Sequence, residues 1–68
     1  MDFQIGDILV SSQSSTTILL IDHDEYKYKY KVLMIRNGIS STELGYGAHE
    51  LILLTKEPYN YKYCPVVK

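Results

Sequence analysis

The sequence predicts an all-β fold, and three observations predict it. Residues 26–31 alternate Tyr and Lys without a break, the period of two that marks a half-buried strand. Asn37-Gly38, set between apolar runs, is the strongest short hairpin signal in the chain. Three apolar runs, Ile18–Ile21, Val32–Ile35 and Leu51–Leu54, are separated by polar or glycine-containing turns and read as strands.

The elements follow in order. Ile5–Val10 is a short apolar strand entered through Gly6-Asp7, and the polar stretch Ser11–Ser15 is a loop. Thr16–Ile21, β-branched and apolar, is the second strand, and Asp22–Glu25 is a polar turn with no room for a helix. Tyr26–Ile35 is the third and longest strand, and Ile39–Leu44 returns beyond Asn37-Gly38 as the fourth. Gly45-Tyr46-Gly47 is a flexible turn, Ala48-His49-Glu50 a single helical turn, and Leu51–Leu54 a fifth strand that Lys56-Glu57-Pro58 ends. The Tyr-rich tail, bounded by Pro58 and Pro65, is a short edge strand or an extended arm. Residues 1–56 are expected to form the domain and residues 57–68 the tail.

A chain of 68 residues is one domain, able to bury only about 60% of its unfolded surface. Cys64 is the one cysteine, so no intramolecular disulfide forms, which fits a reducing, intracellular setting. The opening residues lack a basic segment followed by an apolar run. No apolar stretch approaches the roughly 20 residues needed to span a bilayer. A soluble, cytoplasmic chain without a membrane partner is the expectation. Seven Lys and Arg against eight Asp and Glu argue against a general polyanion binder and against an acidic nucleic-acid mimic. Seven tyrosines are the most unusual compositional fact, and tyrosine favours strands and interfaces.

The opening Phe3-x-x-Gly6-Asp7-Ile8-Leu9-Val10 resembles the first strand of Src-homology-like small barrels of the KOW and Tudor kind. Residues 18–22 and 32–35 resemble the hairpin strands of those barrels, and Ala48–Leu54 their helical turn and last strand. The resemblance covers roughly residues 3–55. It implies a small five-stranded, partly open barrel with a short helical turn before the last strand. The glycine-arginine loop signature of a KOW module and a defined aromatic cage are both missing, so the resemblance implies fold and not function. In size, cysteine poverty and Tyr/Lys richness the chain also resembles small orphan proteins of bacteriophages, many of which bind one host protein and inhibit or redirect it.

Several side chains carry chemistry in principle. His23 lies among Asp22, Asp24 and Glu25, but neighbours on a turn point in different directions, whereas metal ligands must converge. His49 with Glu50 reads as a cap or a surface pair. Cys64 has no base beside it to activate a thiolate. Ser11, Ser12, Ser14 and Ser15 lack the glycine cradle and following helix of a phosphate site. No catalytic, cofactor or metal residue is assigned, and the expectation is a protein that is not an enzyme.

Lys27, Lys29, Lys31 and Arg36, interleaved with Tyr26, Tyr28 and Tyr30, are the candidate nucleic-acid contacts, because small barrels bind single strands with basic grooves and stacking aromatics. Alternation places the tyrosines and lysines on opposite faces, and the neighbouring acids partly cancel the charge. Packing of the tyrosines inward, under a solvated lysine face, is the competing account. Protein association is the favoured reading. The three apolar runs exceed what one core face needs, and exposed apolar surface costs about 25 cal/mol per Å², so either strong coiling of the barrel tucks both faces inward with the Tyr-rich tail folded back as cover, or a partner covers the second face. Tyr59, Tyr61 and Tyr63 are the expected anchors, with Leu33 and Ile35 from the third strand. The expected function is stoichiometric binding of a protein, as inhibitor or modulator of a bacterial host protein, with a second copy of the chain as the simplest partner.

Overall fold

In the computed structural model, residues 3–67 are described, Leu44 by its backbone alone, so Met1, Asp2 and Lys68 at the ends of the two expected segments lie outside the described residues. The strands are β1 (Ile8–Ser11), β2 (Thr16–Asp24), β3 (Lys29–Arg36), β4 (Ile39–Tyr46) and β5 (Lys62–Cys64), with one helix, α1 (Ala48–Leu54), between β4 and β5. All pairings are antiparallel, and the spatial order is β4-β3-β2-β1-β5. The all-β class holds. The expected partly open barrel is instead an open sheet, because among the described residues β4 and β5 stand at opposite ends of the order and do not pair.

Local chemistry explains the hairpins. Asn37 and Gly38 both have positive φ (53° and 79°), the geometry of a two-residue turn whose twist matches the flanking strands. Between β1 and β2 the hydroxyls organise the loop. Thr16, 1% exposed, donates its hydroxyl to the Ser14 carbonyl at 3.1 Å and accepts Arg36 Nε at 3.2 Å, so a buried polar group is satisfied.

The strand bounds differ from the expected ones. The second strand runs on through Asp24, into the turn expected at Asp22–Glu25, and the third starts at Lys29 and not at Tyr26. Asp24 Oδ1 accepts the backbone N–H groups of Tyr26 and Lys27 (2.9 and 3.2 Å), and this side-chain turn holds Tyr26 and Lys27 out of the ladder. Tyr28 follows with φ 53°, and Tyr26 is 95% exposed. Of the three alternating tyrosines only Tyr30 packs against the core. The expected fifth strand, Leu51–Leu54, is the body of α1, so the helix is longer than the single turn expected. A four-residue apolar run carries no period of its own, and Leu and Ala favour helix over strand. Leu51 is buried, with Ile52 and Leu54 packed beside it, while Leu53 faces solvent. The last strand is Lys62–Cys64, from the tail, and it pairs with β1 as an edge strand.

The core lies on one face of the sheet. Leu9, Ile18, Leu20, Val32 and Met34 project from β1, β2 and β3, and Phe3 and Leu51 close over them. Tyr30, Tyr46, Tyr61 and Tyr63 rim the cluster. Phe3 meets Tyr63 and Tyr30 edge to face, at ring-centroid distances of 5.4 and 6.2 Å.

A buried carboxylate ties the chain's two ends together. Asp7 is 1% exposed. Its Oδ2 accepts Gln4 N–H at 2.9 Å and the Tyr63 hydroxyl at 2.6 Å, and its Oδ1 accepts Val66 N–H at 2.8 Å. Gly6 makes the approach possible. Its φ is +99°, and a Cβ there would sit 2.9 Å from Val66 Cγ2. The Gly6-Asp7 pair therefore turns the chain into β1 and holds the tail against it.

Two outcomes follow from this packing. Asp7→Ala removes the acceptor shared by the Gln4 and Val66 N–H groups and the Tyr63 hydroxyl and should lower stability by about 3 kcal/mol, while Tyr63→Phe, which leaves both backbone donors on Asp7, should cost about 1.5 kcal/mol. Urea unfolding measures both, and equal losses would contradict the shared-acceptor account. Tyr46 gives the second outcome. Burial, and next the Glu43 carboxylate, raise its phenol above the ordinary value of 10.0. The folded chain thus holds that proton more tightly than the unfolded chain. The stability it contributes is complete below pH 10 and is lost as pH rises through the raised value. A thermal-melting series above pH 10 should show a shallower decline in Tyr46→Phe.

Candidate docking face on the sheet

The face of the sheet opposite the core is the candidate site. Alternation sends every second side chain of each strand to that side, and antiparallel register lines these side chains up in rows across the strands. One row runs Cys64, Ile8, Leu19, Leu33, Thr42, and the next runs Lys62, Val10, Thr17, Ile35, Ser40. Ile8, Leu19 and Leu33 are half-buried by their neighbours, while Val10 and Ile35 are exposed. The helix does not cover them, because Leu51, Ile52 and Leu54 pack into the core on the other side, as do Phe3 and Tyr61.

The face is apolar at its centre and charged at one end. At the bulge between Leu20 and Asp22 the register shifts, and Asp22 comes opposite Lys31, with Asp24 opposite Lys29. These rows place an acid beside each base at the turn end of β2 and β3. The apolar rows themselves contain one cation, Lys62, at the β5 edge.

The expected protein-binding residues divide into two groups. Leu33 and Ile35 stand in adjacent rows of the outer face. Tyr59, Tyr61 and Tyr63 are not brought together. Tyr59 is exposed in the turn before β5, Tyr61 is half-buried against the core cluster, and Tyr63 lies opposite Leu9 with its hydroxyl on Asp7. Ile8, Val10 and Leu19 belong to the same face and were not singled out from the sequence. Their membership depends on register, and the signal for it was the apolar character of both faces of the first two strands.

The candidate nucleic-acid residues are dispersed. Lys27 is in the exposed turn, Lys29 and Lys31 lie opposite Asp24 and Asp22, and Arg36 is at the far end of β3. Arg36 faces the other side, with its guanidinium against Thr16 Oγ1 and Met34 Sδ (3.2 and 3.6 Å). Tyr26 and Tyr28 sit in the turn and Tyr30 is packed below the sheet, so no strip of stacked aromatics runs beside the cations.

The chemistry-bearing side chains are also apart. The ring of His23 lies against Tyr30, tilted by 49° at a centroid distance of 4.6 Å, beside an open depression of about 440 Å³ lined by Phe3, Gln4 and Ile5. His49 is exposed on α1, and Cys64 lies opposite Ile8 on the outer face. A second depression, about 280 Å³, lies between Met34, Arg36, Ile39 and Glu43. Among the described residues no three His, Cys, Asp or Glu side chains gather as a metal site, and no helix is long and apolar enough to cross a membrane. No family model matches the chain, and neither the curated proteins nor the solved structures compared with it contain a match.

The two sides of the sheet should respond differently to truncation. Leu20→Ala, on the core side and 1% exposed, should cost about 2–5 kcal/mol. Ile35→Ser, on the outer face and 38% exposed, should cost about 1 kcal/mol or less. Denaturant unfolding of the two variants measures the contrast, and a similar loss in both would mean that the outer face is covered within the monomer.

Proposed function

We propose that the chain is a non-enzymatic protein-binding module that acts by stoichiometric contact through the outer face of its sheet. One observation carries the reading: Ile8, Val10, Leu19, Leu33 and Ile35 stand side by side in two adjacent rows of the outer face, with Val10 and Ile35 exposed, while Leu51 of the helix and Phe3 pack on the core side. A contiguous apolar patch with a polar border is the usual mark of a protein contact. Lys62, Asp22 and Lys31 supply that border here. Strand faces also present side chains on a rigid backbone, which limits the entropy lost on docking.

The short helix before the last strand is in keeping with the Src-homology-like resemblance of the sequence, here on an open five-stranded sheet. In such a binder the mechanism is steric, and the module inhibits or redirects one protein by occupying its surface. A bacterial host protein met in the cytoplasm is the partner that fits the sequence resemblance. Tyr59 is the tail tyrosine available to extend the contact, since Tyr61 and Tyr63 serve the core.

The test is capture from a bacterial lysate treated with nuclease, comparing the natural chain with Leu33→Lys/Ile35→Lys. A protein retained by the first and lost, at least tenfold, by a variant of unchanged circular dichroism supports the outer face. Equal retention by both chains would remove this face from the interface. Retention that disappears with nuclease would transfer the activity to the Lys27–Arg36 segment.

A further inference from the structure

The two edges of the sheet are built differently. β5 is three residues long, carries Lys62 and runs into Pro65, features that keep an edge from pairing with another chain. β4 is eight residues long, Ile-Ser-Ser-Thr-Glu-Leu-Gly-Tyr, with no Lys, Arg or Pro and a single acid. Its one irregularity, the register shift at Gly45, lies near its end. Among the described residues, one edge is short and carries features that oppose pairing, and the other runs eight residues with a single acid and none of the other features.

The turn dictates which backbone groups are free. Arg36 and Ile39 flank the two-residue Asn37-Gly38 turn, so they form the hydrogen-bonded pair that closes the hairpin. Alternation then turns the N–H and C=O groups of Ile39, Ser41 and Glu43 toward β3. It turns those of Ser40, Thr42 and Leu44 outward, away from the sheet.

We propose that β4 pairs antiparallel with β4 of a second copy, about a two-fold axis through Thr42. In this register Thr42 faces Thr42, and Ser40 faces Leu44 on either side, each pair exchanging two N–H···O=C bonds. All the outward groups of Ser40, Thr42 and Leu44 are then satisfied. Hydroxyl side chains meet at the centre, a favourable cross-strand pairing. Glu43 lies opposite Ser41 of the other copy. Centring the axis on Ser41 leaves the outward groups of Leu44 without a β-strand residue opposite, and centring it on Glu43 sets two carboxylates face to face. The strand is thus complementary to itself in one register, which favours an identical chain over an unrelated peptide. An axis normal to the sheet keeps outer face with outer face, so the two docking faces become one continuous surface. The inference goes beyond the docking reading and rests on the β4 backbone, not on the outer side chains.

Amide exchange by NMR at low and high protein concentration is the test, with the molecular mass read by light scattering. The expected mass at high concentration is twice the chain's 7.8 kDa. The amides of Ser40, Thr42 and Leu44 should exchange about tenfold more slowly there, while those of Ile39, Ser41 and Glu43 are protected at both concentrations. Thr42→Pro removes an outward N–H that the monomer does not use, and should give a monomer. Thr42→Lys, which keeps the backbone donor and sets two cations at the axis, should do the same if the proline variant fails to fold. Leu33→Lys/Ile35→Lys should remain dimeric. A monomer at every concentration would overturn the proposal. So would a dimer that survives both Thr42 variants, or one lost only in the Leu33/Ile35 variant, which would place the contact on the outer face.

Discussion

The Asp7 carboxylate is the interaction on which the rest of the structure depends. A carboxyl group buried to 1% exposure is tolerated because hydrogen-bond donors surround it, and those donors come from both ends of the chain. Its backbone is equally committed. The Asp7 carbonyl accepts Leu20 N–H, and Gly6 N–H reaches the Leu20 carbonyl, so the turn into β1 is fastened to β2. Without the carboxylate, β5 would be three residues of ladder on a sheet edge, too little to order a tail. With it, Tyr63 is brought over Leu9 and against Phe3, and the open end of the core is closed by aromatic rings.

One side of the sheet exhausts the chain's means of covering apolar surface. The helix, the N-terminal segment and the tail all go to the core side, and each has an apolar reason to do so in Leu51, Phe3 and Tyr63. A sheet with side chains on two faces and a single layer packed on one of them leaves the other face to solvent or to a partner. The sequence of β1 to β3 does not change character between the two faces, since Ile8, Leu19 and Leu33 are as apolar as Leu9, Ile18 and Val32. A strand meant to be solvated would alternate apolar with polar residues. The docking reading is therefore a statement about the composition of the outer rows as much as about their geometry.

What could be read from the sequence was local. Asn37-Gly38, the serine-rich loop and Gly6-Asp7 fix turns through the conformations of one or two residues, and the hairpins they define stand where expected. The structure departs from the pattern where a side chain outside that pattern decides, whether near in the chain or distant. Leu51–Leu54 has the composition of a short strand or of one helical turn, and the core beneath Leu51 selects the helix. Tyr26 and Tyr28 continue the alternation of β3 in sequence only, because the Asp24 side chain captures the backbone first. Tyr63 reads as a surface anchor because its partners, Asp7 and Phe3, lie more than fifty residues away in the chain, and Tyr61 because the core cluster it packs against is assembled from distant strands. Leu33 and Ile35 were legible as part of an apolar excess, but the rows that join them to Ile8, Val10 and Leu19 exist only once the register is known.

The distance along the chain between Asp7 and its tail partners, 56 and 59 residues, also orders events in time. The meander from β1 to β4 is made of neighbours joined by short turns, whose closure costs little entropy. Joining Tyr63 and Val66 to Asp7 closes a loop that contains nearly everything else, and gains its stabilisation only after β1 and β2 already hold the carboxylate in place. Loop-closure entropy alone therefore places the tail last in the order of docking. Released from Asp7, the tail would leave β1 as an edge of a four-stranded sheet, so the same hydrogen bonds that close the core also keep that edge covered.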